Sequence, residues 1–106
     1  MKEESQVKAI LKKDEILSIL KKEMPHLKEQ FNVAEIALFG SYARDEADFK
    51  SDIDILVTFS KTPGMISFMK LENHLTELFG VKVDLVLKNA LRPHIGETIL
   101  NEAVYT

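Results

Sequence analysis

Three short apolar, β-branched runs, Val33–Phe39, Ile53–Phe59 and Val81–Leu87, constrain this chain more than any other feature. Each is too short for a helix and is bounded by turn-forming residues, so each reads as a strand. In the third run, Val81, Val83, Leu85 and Leu87 share one face while Lys82, Asp84 and Val86 share the other. In the second, Ile53, Ile55, Val57 and Phe59 share a face, and Asp52 and Asp54 project from the opposite one. Both strands therefore offer one side to a core and carry carboxylates on the other.

Helical stripes separate the strands. Ile16, Leu17, Leu20, Met24, Leu27 and Phe31 predict an amphipathic helix over Asp14–Phe31, with Asp14 as its N-cap and Pro25 expected to kink or split it. A short helix is expected from Ser41 to Glu46. Phe68, Leu71, Leu75, Leu78 and Phe79 mark a longer one that stops at Gly80. A last helix, Arg92 to Asn101, carries Ile95, Ile99 and Leu100, and Ala103–Tyr105 form a short extended end. The order α-β-α-β-α-β-α predicts an α/β (α+β) domain, a small mixed sheet packed by helices.

A chain of 106 residues has room for one domain, residues 1–106, with residues 1–13 expected as an accessory arm, helical or frayed. The absence of Cys excludes disulfide frameworks, thiolate zinc sites and cysteine nucleophiles. With 14 Lys+Arg against 17 Asp+Glu the net charge is −3, which lacks the basic footprint of a general nucleic-acid surface, so no direct DNA binding is expected. The N-terminus has no apolar signal region and no apolar run approaches a membrane span, so a cytoplasmic protein with no membrane partner is expected.

The carboxylates carry the chemistry. Asp52 and Asp54 are separated by about 6–7 Å of extended backbone. That interval accommodates two divalent ions about 3.5–4 Å apart. Asp84 has the same placement, between Val83 and Leu85 on the face away from the core, so the three acids converge if the two strands are neighbours. Left alone they would repel and raise one another's pKa values. A pair of Mg²⁺ or Mn²⁺ ions, which prefer oxygen ligands, resolves the repulsion.

Upstream, Gly40-Ser41 falls at a strand-to-helix turn, where glycine allows close approach of backbone to a ligand and the helix expected to start at Ser41 offers free N–H groups and a positive dipole end as a phosphate seat. Neither the Walker pattern nor the dinucleotide fingerprint is present. A phosphate cradle beside a carboxylate metal cluster fits phosphoryl or nucleotidyl transfer.

Gly40-Ser41, ten residues, then Asp52-Ile53-Asp54, followed by Asp84 in the run VKVDLVL, resembles the signature of the DNA polymerase β-type nucleotidyltransferase superfamily. The similarity is closer to the minimal nucleotidyltransferases, the MNT or MntA-like group, and spans Asp14 to Tyr105, including ALFGSYAR, SDIDILV, LFGVKVDLV and LRPHIGETILNEAVY. The resemblance implies a polymerase β-like palm and metal-dependent transfer of NMP, usually AMP from ATP. It implies Asp52, Asp54 and Asp84 as catalytic metal ligands and Gly40 and Ser41 as phosphate binders. It further implies an antitoxin role beside a helical HEPN-type toxin partner, with transfer of AMP to a tyrosine of that toxin in some members. One departure is Asp45, where the family often has Gly after Ala-Arg; Asp tolerates the left-handed conformation better than most residues.

Two other readings fit the same residues. The chain could act as a binding subunit that neutralises a HEPN partner without catalysis, or as a small-molecule nucleotidyltransferase subunit whose acceptor domain lies elsewhere. Ser41 also reads as a simple N-cap, and Arg44 as a partner of a phosphate, of Asp45 or Asp48, or of an active-site acid. His26, His74 and His94 show no paired spacing and read as surface residues. Met65, Phe68 and Met69 read as core or groove lining, and Ile99, Val104 and Tyr105 as core or partner interface.

Overall fold

The computed structural model describes residues 10–106, with the backbone alone at residue 95. The N-terminal arm expected over residues 1–13 therefore lies mostly outside the described residues. Helix α1 spans Lys13–Phe31 and buries Ile16, Leu20 and Leu27 along one stripe. It begins one residue before the expected cap. The backbone N–H of Lys12 donates to the Glu15 carboxylate at 2.8 Å, so the reciprocal half of a capping box performs the function assigned to Asp14. Asp14 lies in the first turn, where its charge faces the positive end of the dipole. Pro25 does not split the helix: Lys21 and Pro25 both lie on its exposed side, away from the buried stripe. Asn32, at φ 59°, takes the left-handed conformation that ends α1.

Strands β1 (Val33–Phe39), β2 (Ile53–Phe59), β3 (Val83–Leu87) and β4 (Val104–Tyr105) form one mixed sheet in the order β3-β2-β1-β4. β1 is antiparallel to both β2 and β4, whereas β2 and β3 are parallel. The parallel pair requires a crossover, which helix α2 (Met65–Phe79) supplies. Gly80 closes α2 at φ 69°, in the position expected for it. β3 starts at Val83 rather than Val81, with the Lys82 carbonyl accepting the Ile53 N–H at 2.9 Å just outside it. Helix α3 (Pro93–Glu102) follows a 3₁₀ turn at Lys88–Ala90 and opens on proline.

The short helix expected at Ser41–Glu46 is instead one closed turn. The Ala43 and Arg44 N–H groups share the Gly40 carbonyl, at 3.0 and 3.1 Å. The Glu46 N–H then returns to the Ser41 carbonyl at 2.8 Å around Asp45, whose φ is 59°. This is the hydrogen-bond pattern that terminates a helix, applied after a single turn. Asp45 thus adopts the left-handed geometry that glycine would otherwise supply.

The sheet has two unequal faces. Ile36, Leu38, Ile53, Ile55, Val57, Val83 and Leu85 form the main core with Ile16, Leu20 and Leu27 of α1 and Leu71, Leu75 and Phe79 of α2. The opposite face holds a smaller cluster, Ala37, Phe39 and Leu56, with Leu91, Ile99 and Ala103 packed against it. Val104 packs on the main core and Ile99 on the smaller cluster, both partly buried, while Tyr105 stays exposed with the Lys88 Nζ 5.2 Å from its ring centre. Phe68 reaches the core, but Met65 and Met69 are exposed, which rules out a core role for these two.

Candidate active site

The smaller face carries the carboxylates where β1 ends and where β2 and β3 begin. The register sets Asp54 directly opposite Asp84 on β3 and opposite Phe39 on β1. The strand adjacency on which convergence depended is therefore present. Asp52 precedes β2 by one residue and shares the face of Asp54. Asp84 is exposed; Asp52 and Asp54 are half-buried.

The carboxyl of Asp54 is pushed up to about 6, first by burial and then by the charges of Asp84 and Asp52. Glu102 adds to the rise and Arg44 opposes it. Among the described residues, the oxygens of Asp52, Asp54 and Asp84 do not all come within 4.8 Å of one another, as expected of like charges held apart. A donor set of carboxylate oxygens alone fits a hard divalent cation such as Mg²⁺ or Mn²⁺.

Gly40 explains how the turn is built so close to these acids. It is buried, its φ is 78°, and a Cβ at this position would collide with the Asp54 carboxylate. The glycine is thus needed for its backbone angle and for the space it leaves. No helix begins at Ser41, so no helix dipole points at a ligand there. What the turn offers is the half-buried Ser41 hydroxyl and the Ser41 and Tyr42 N–H groups, for which no partner appears among the described residues.

Two residues at the site went unassigned by sequence reasoning. Glu102, at the end of α3, accepts the Gly40 N–H on Oε2 at 2.9 Å and pairs with Arg44 Nη1 through Oε1 at 3.0 Å. Arg44 also donates from Nε to Glu46 at 3.0 Å, so its partners are Glu46 and Glu102 rather than Asp45 or Asp48. No local pattern identifies Glu102; it arrives because β4 pairs with β1 and draws the end of α3 toward Gly40. Tyr42 is buried behind the turn, its hydroxyl pKa raised by burial and by Asp48 and Asp52. A groove of about 410 Å³ runs beside Tyr42, Asp48, Phe49 and Phe79 and does not include the carboxylates.

An acidic triad on a mixed sheet beside a Gly-Ser turn is the arrangement expected of an enzyme that handles nucleotide phosphates. The nucleotidyltransferase domain model matches residues 15–106, and the chain belongs to that family. Protein adenylyltransferase MntA of Thermococcus cleftensis is 47% identical over 97 residues, covering 92% of this chain and 98% of that protein. A solved structure described as a minimal nucleotidyltransferase superimposes with a TM-score of 0.74 at 30% identity, covering 92% of this chain and 98% of the other. A toxin–antitoxin structure with AMP-PNP gives a TM-score of 0.66 at 25% identity, covering 90% of this chain and 72% of the matched one. Among the described residues no helix is long and apolar enough to cross a membrane.

Proposed function

We propose that this nucleotidyltransferase moves AMP from ATP onto a hydroxyl, that the acceptor is a tyrosine of a HEPN-type toxin, and that the modification makes this chain the toxin's antitoxin. The observation that carries the chemistry is Asp54 opposite Asp84, with Gly40 packed against Asp54. The relative named protein adenylyltransferase supports the donor and the protein acceptor, and the toxin–antitoxin structure with AMP-PNP supports the partner class.

Asp52, Asp54 and Asp84 would hold two Mg²⁺ or Mn²⁺ ions. Bound there, such ions supply charge neutralisation of the phosphates and lower the barrier to hydroxyl attack. The turn that follows Gly40 receives the β- and γ-phosphates on the Ser41 and Tyr42 N–H groups and on the Ser41 hydroxyl, while the Gly40 N–H is held by Glu102. Arg44, held by Glu46 through Nε and by Glu102 through Nη1, retains Nη2 as a donor for the same phosphates. Asp84, the most exposed of the three acids, accepts the proton of the acceptor hydroxyl. The hydroxyl oxygen bonds to the α-phosphorus, the bond from that phosphorus to the bridging oxygen breaks, and pyrophosphate leaves.

The test incubates the protein with ATP labelled at the α-phosphate, Mg²⁺ and a HEPN-type protein encoded beside it. Label on a tyrosine of the partner, absent with Asp52→Ala/Asp54→Ala, is the expected result. An unlabelled partner that the double variant still neutralises in cells would replace catalysis with simple occlusion.

A further inference from the structure

The helical side of the sheet holds a second group of metal-ligating side chains, unrelated to the carboxylates. Glu23 and His26 are three residues apart on α1 and therefore share a face. His74 meets them from α2, with its Nε2 3.2 Å from the Glu23 Oε1. The two imidazole rings lie 5.3 Å apart between centres. One ligand atom from each of the three residues falls within 4.8 Å of the other two.

We propose that Glu23, His26 and His74 form a binding site for a borderline divalent transition-metal ion, zinc foremost, that ties α1 to α2. The chemistry of the donors sets the class. Two imidazole nitrogens and one carboxylate suit zinc and its neighbours in the transition series, whereas the oxygen-only triad of Asp52, Asp54 and Asp84 suits magnesium or manganese. Tetrahedral zinc ligands at about 2.0–2.2 Å from the metal stand about 3.3–3.5 Å from each other. The Glu23–His74 pair, hydrogen-bonded at 3.2 Å, is already close to that separation.

His26 has to close the remaining distance, and it is placed to do so. It is exposed, so its ring can turn. Among the described residues it makes ring contacts but no hydrogen bond, which leaves both nitrogens for a ligand. Phe31 packs against both imidazoles, its ring centre 6.2 Å from that of His26 and 5.7 Å from that of His74. It thereby walls one side of the cluster. Three protein ligands leave a fourth position for water, the arrangement of an open zinc site.

The two metal sites lie on opposite sides of the sheet. α1 and α2 cover the main core face, and the acids project from the other. Occupancy of one site is therefore separable from occupancy of the other. Since the ion would bridge two helices in the folded state only, its binding adds directly to stability.

Zinc ions are titrated calorimetrically into the full chain in a millimolar excess of Mg²⁺, with thermal unfolding followed in parallel. The expected result is one tightly bound Zn²⁺ per chain and a rise in Tm. Asp84→Ala keeps this Zn²⁺, whereas His26→Ala weakens it by about tenfold or more. His26 is exposed, so that variant folds; His74→Ala provides a second loss of binding if it folds. Absence of Zn²⁺ binding, binding unchanged in His26→Ala, or binding lost in Asp84→Ala would each overturn the site.

Discussion

Asp54 and Asp84 stand opposite each other on neighbouring parallel strands, each the second residue of its strand. Apposed carboxylates on adjacent strands destabilise a sheet unless something else uses their charge. Replacing Asp84 by Asn should separate the two effects. Transfer activity should fall by about 10²–10⁴-fold, the range lost with a proton acceptor. In chelator, the same variant should unfold at a higher temperature than the parent, because the charge opposing Asp54 is gone. A fall in both quantities would assign Asp84 to structure.

The pH dependence of stability should be inverted relative to common acid lability. The Asp54 carboxyl is pushed up to about 6 in the fold, above the ordinary 3.8, so the native state holds its proton more tightly than the unfolded chain. The associated stability is present in full below about pH 4 and is lost as pH rises through 6. Without metal, the Tm contribution from Asp54 should therefore decline between pH 4 and pH 7. The comparison that isolates it is the parent minus Asp54→Asn, each unfolded in chelator across that range. A parent-minus-variant difference that becomes more positive as pH rises would contradict the assigned sign. Added Mg²⁺ should reverse the decline by favouring the ionised carboxylate.

Gly40→Ala should be costly where Gly80→Ala is mild. Both glycines have positive φ, 78° and 69°, and a side chain at either carries backbone strain of about 1–3 kcal/mol. A methyl group at Gly80 meets nothing within 4 Å, but at Gly40 it strikes the Asp54 carboxylate. Gly80→Ala should thus lower Tm and leave transfer intact, while Gly40→Ala should lower Tm further and abolish transfer. Equal activity losses would remove the special claim on Gly40.

Glu102 should act through the turn rather than on the reacting atoms. Glu102→Ala releases the Gly40 N–H and one of the two carboxylates that hold Arg44. The expected signature is a KM for ATP raised by about tenfold, equivalent to 1.4 kcal/mol, with a smaller change in kcat. Glu102→Gln, which keeps an acceptor for Gly40, should recover part of the loss. An effect on kcat alone would place Glu102 in the chemical step.

Much of this site was legible because alternation in a strand is a strong signal. The residues beside Asp52, Asp54 and Asp84 place these acids on the non-core faces of their strands, and the core face of β2 follows that pattern through Ile53, Ile55 and Val57. Local endings were less legible because several residue types satisfy them. Asp14 looked like a cap, yet Glu15 caps from inside the first turn. Ser41–Glu46 looked helical, yet Asp45 closes the segment before a second turn can add hydrogen bonds. Contacts made only by the fold were not legible at all: Glu102 meets Gly40 across 62 residues, and His74 meets Glu23 across 51.

The most direct test of nucleotidyl transfer compares ATP labelled at the α-phosphate with ATP labelled at the γ-phosphate, each given to the protein with Mg²⁺ and a HEPN-type acceptor. The account predicts that the α-label appears on the acceptor, that the γ-label leaves in pyrophosphate, and that Asp54→Asn stops both. Transfer of the γ-label to the acceptor, or α-label transfer undiminished in Asp54→Asn, would contradict it.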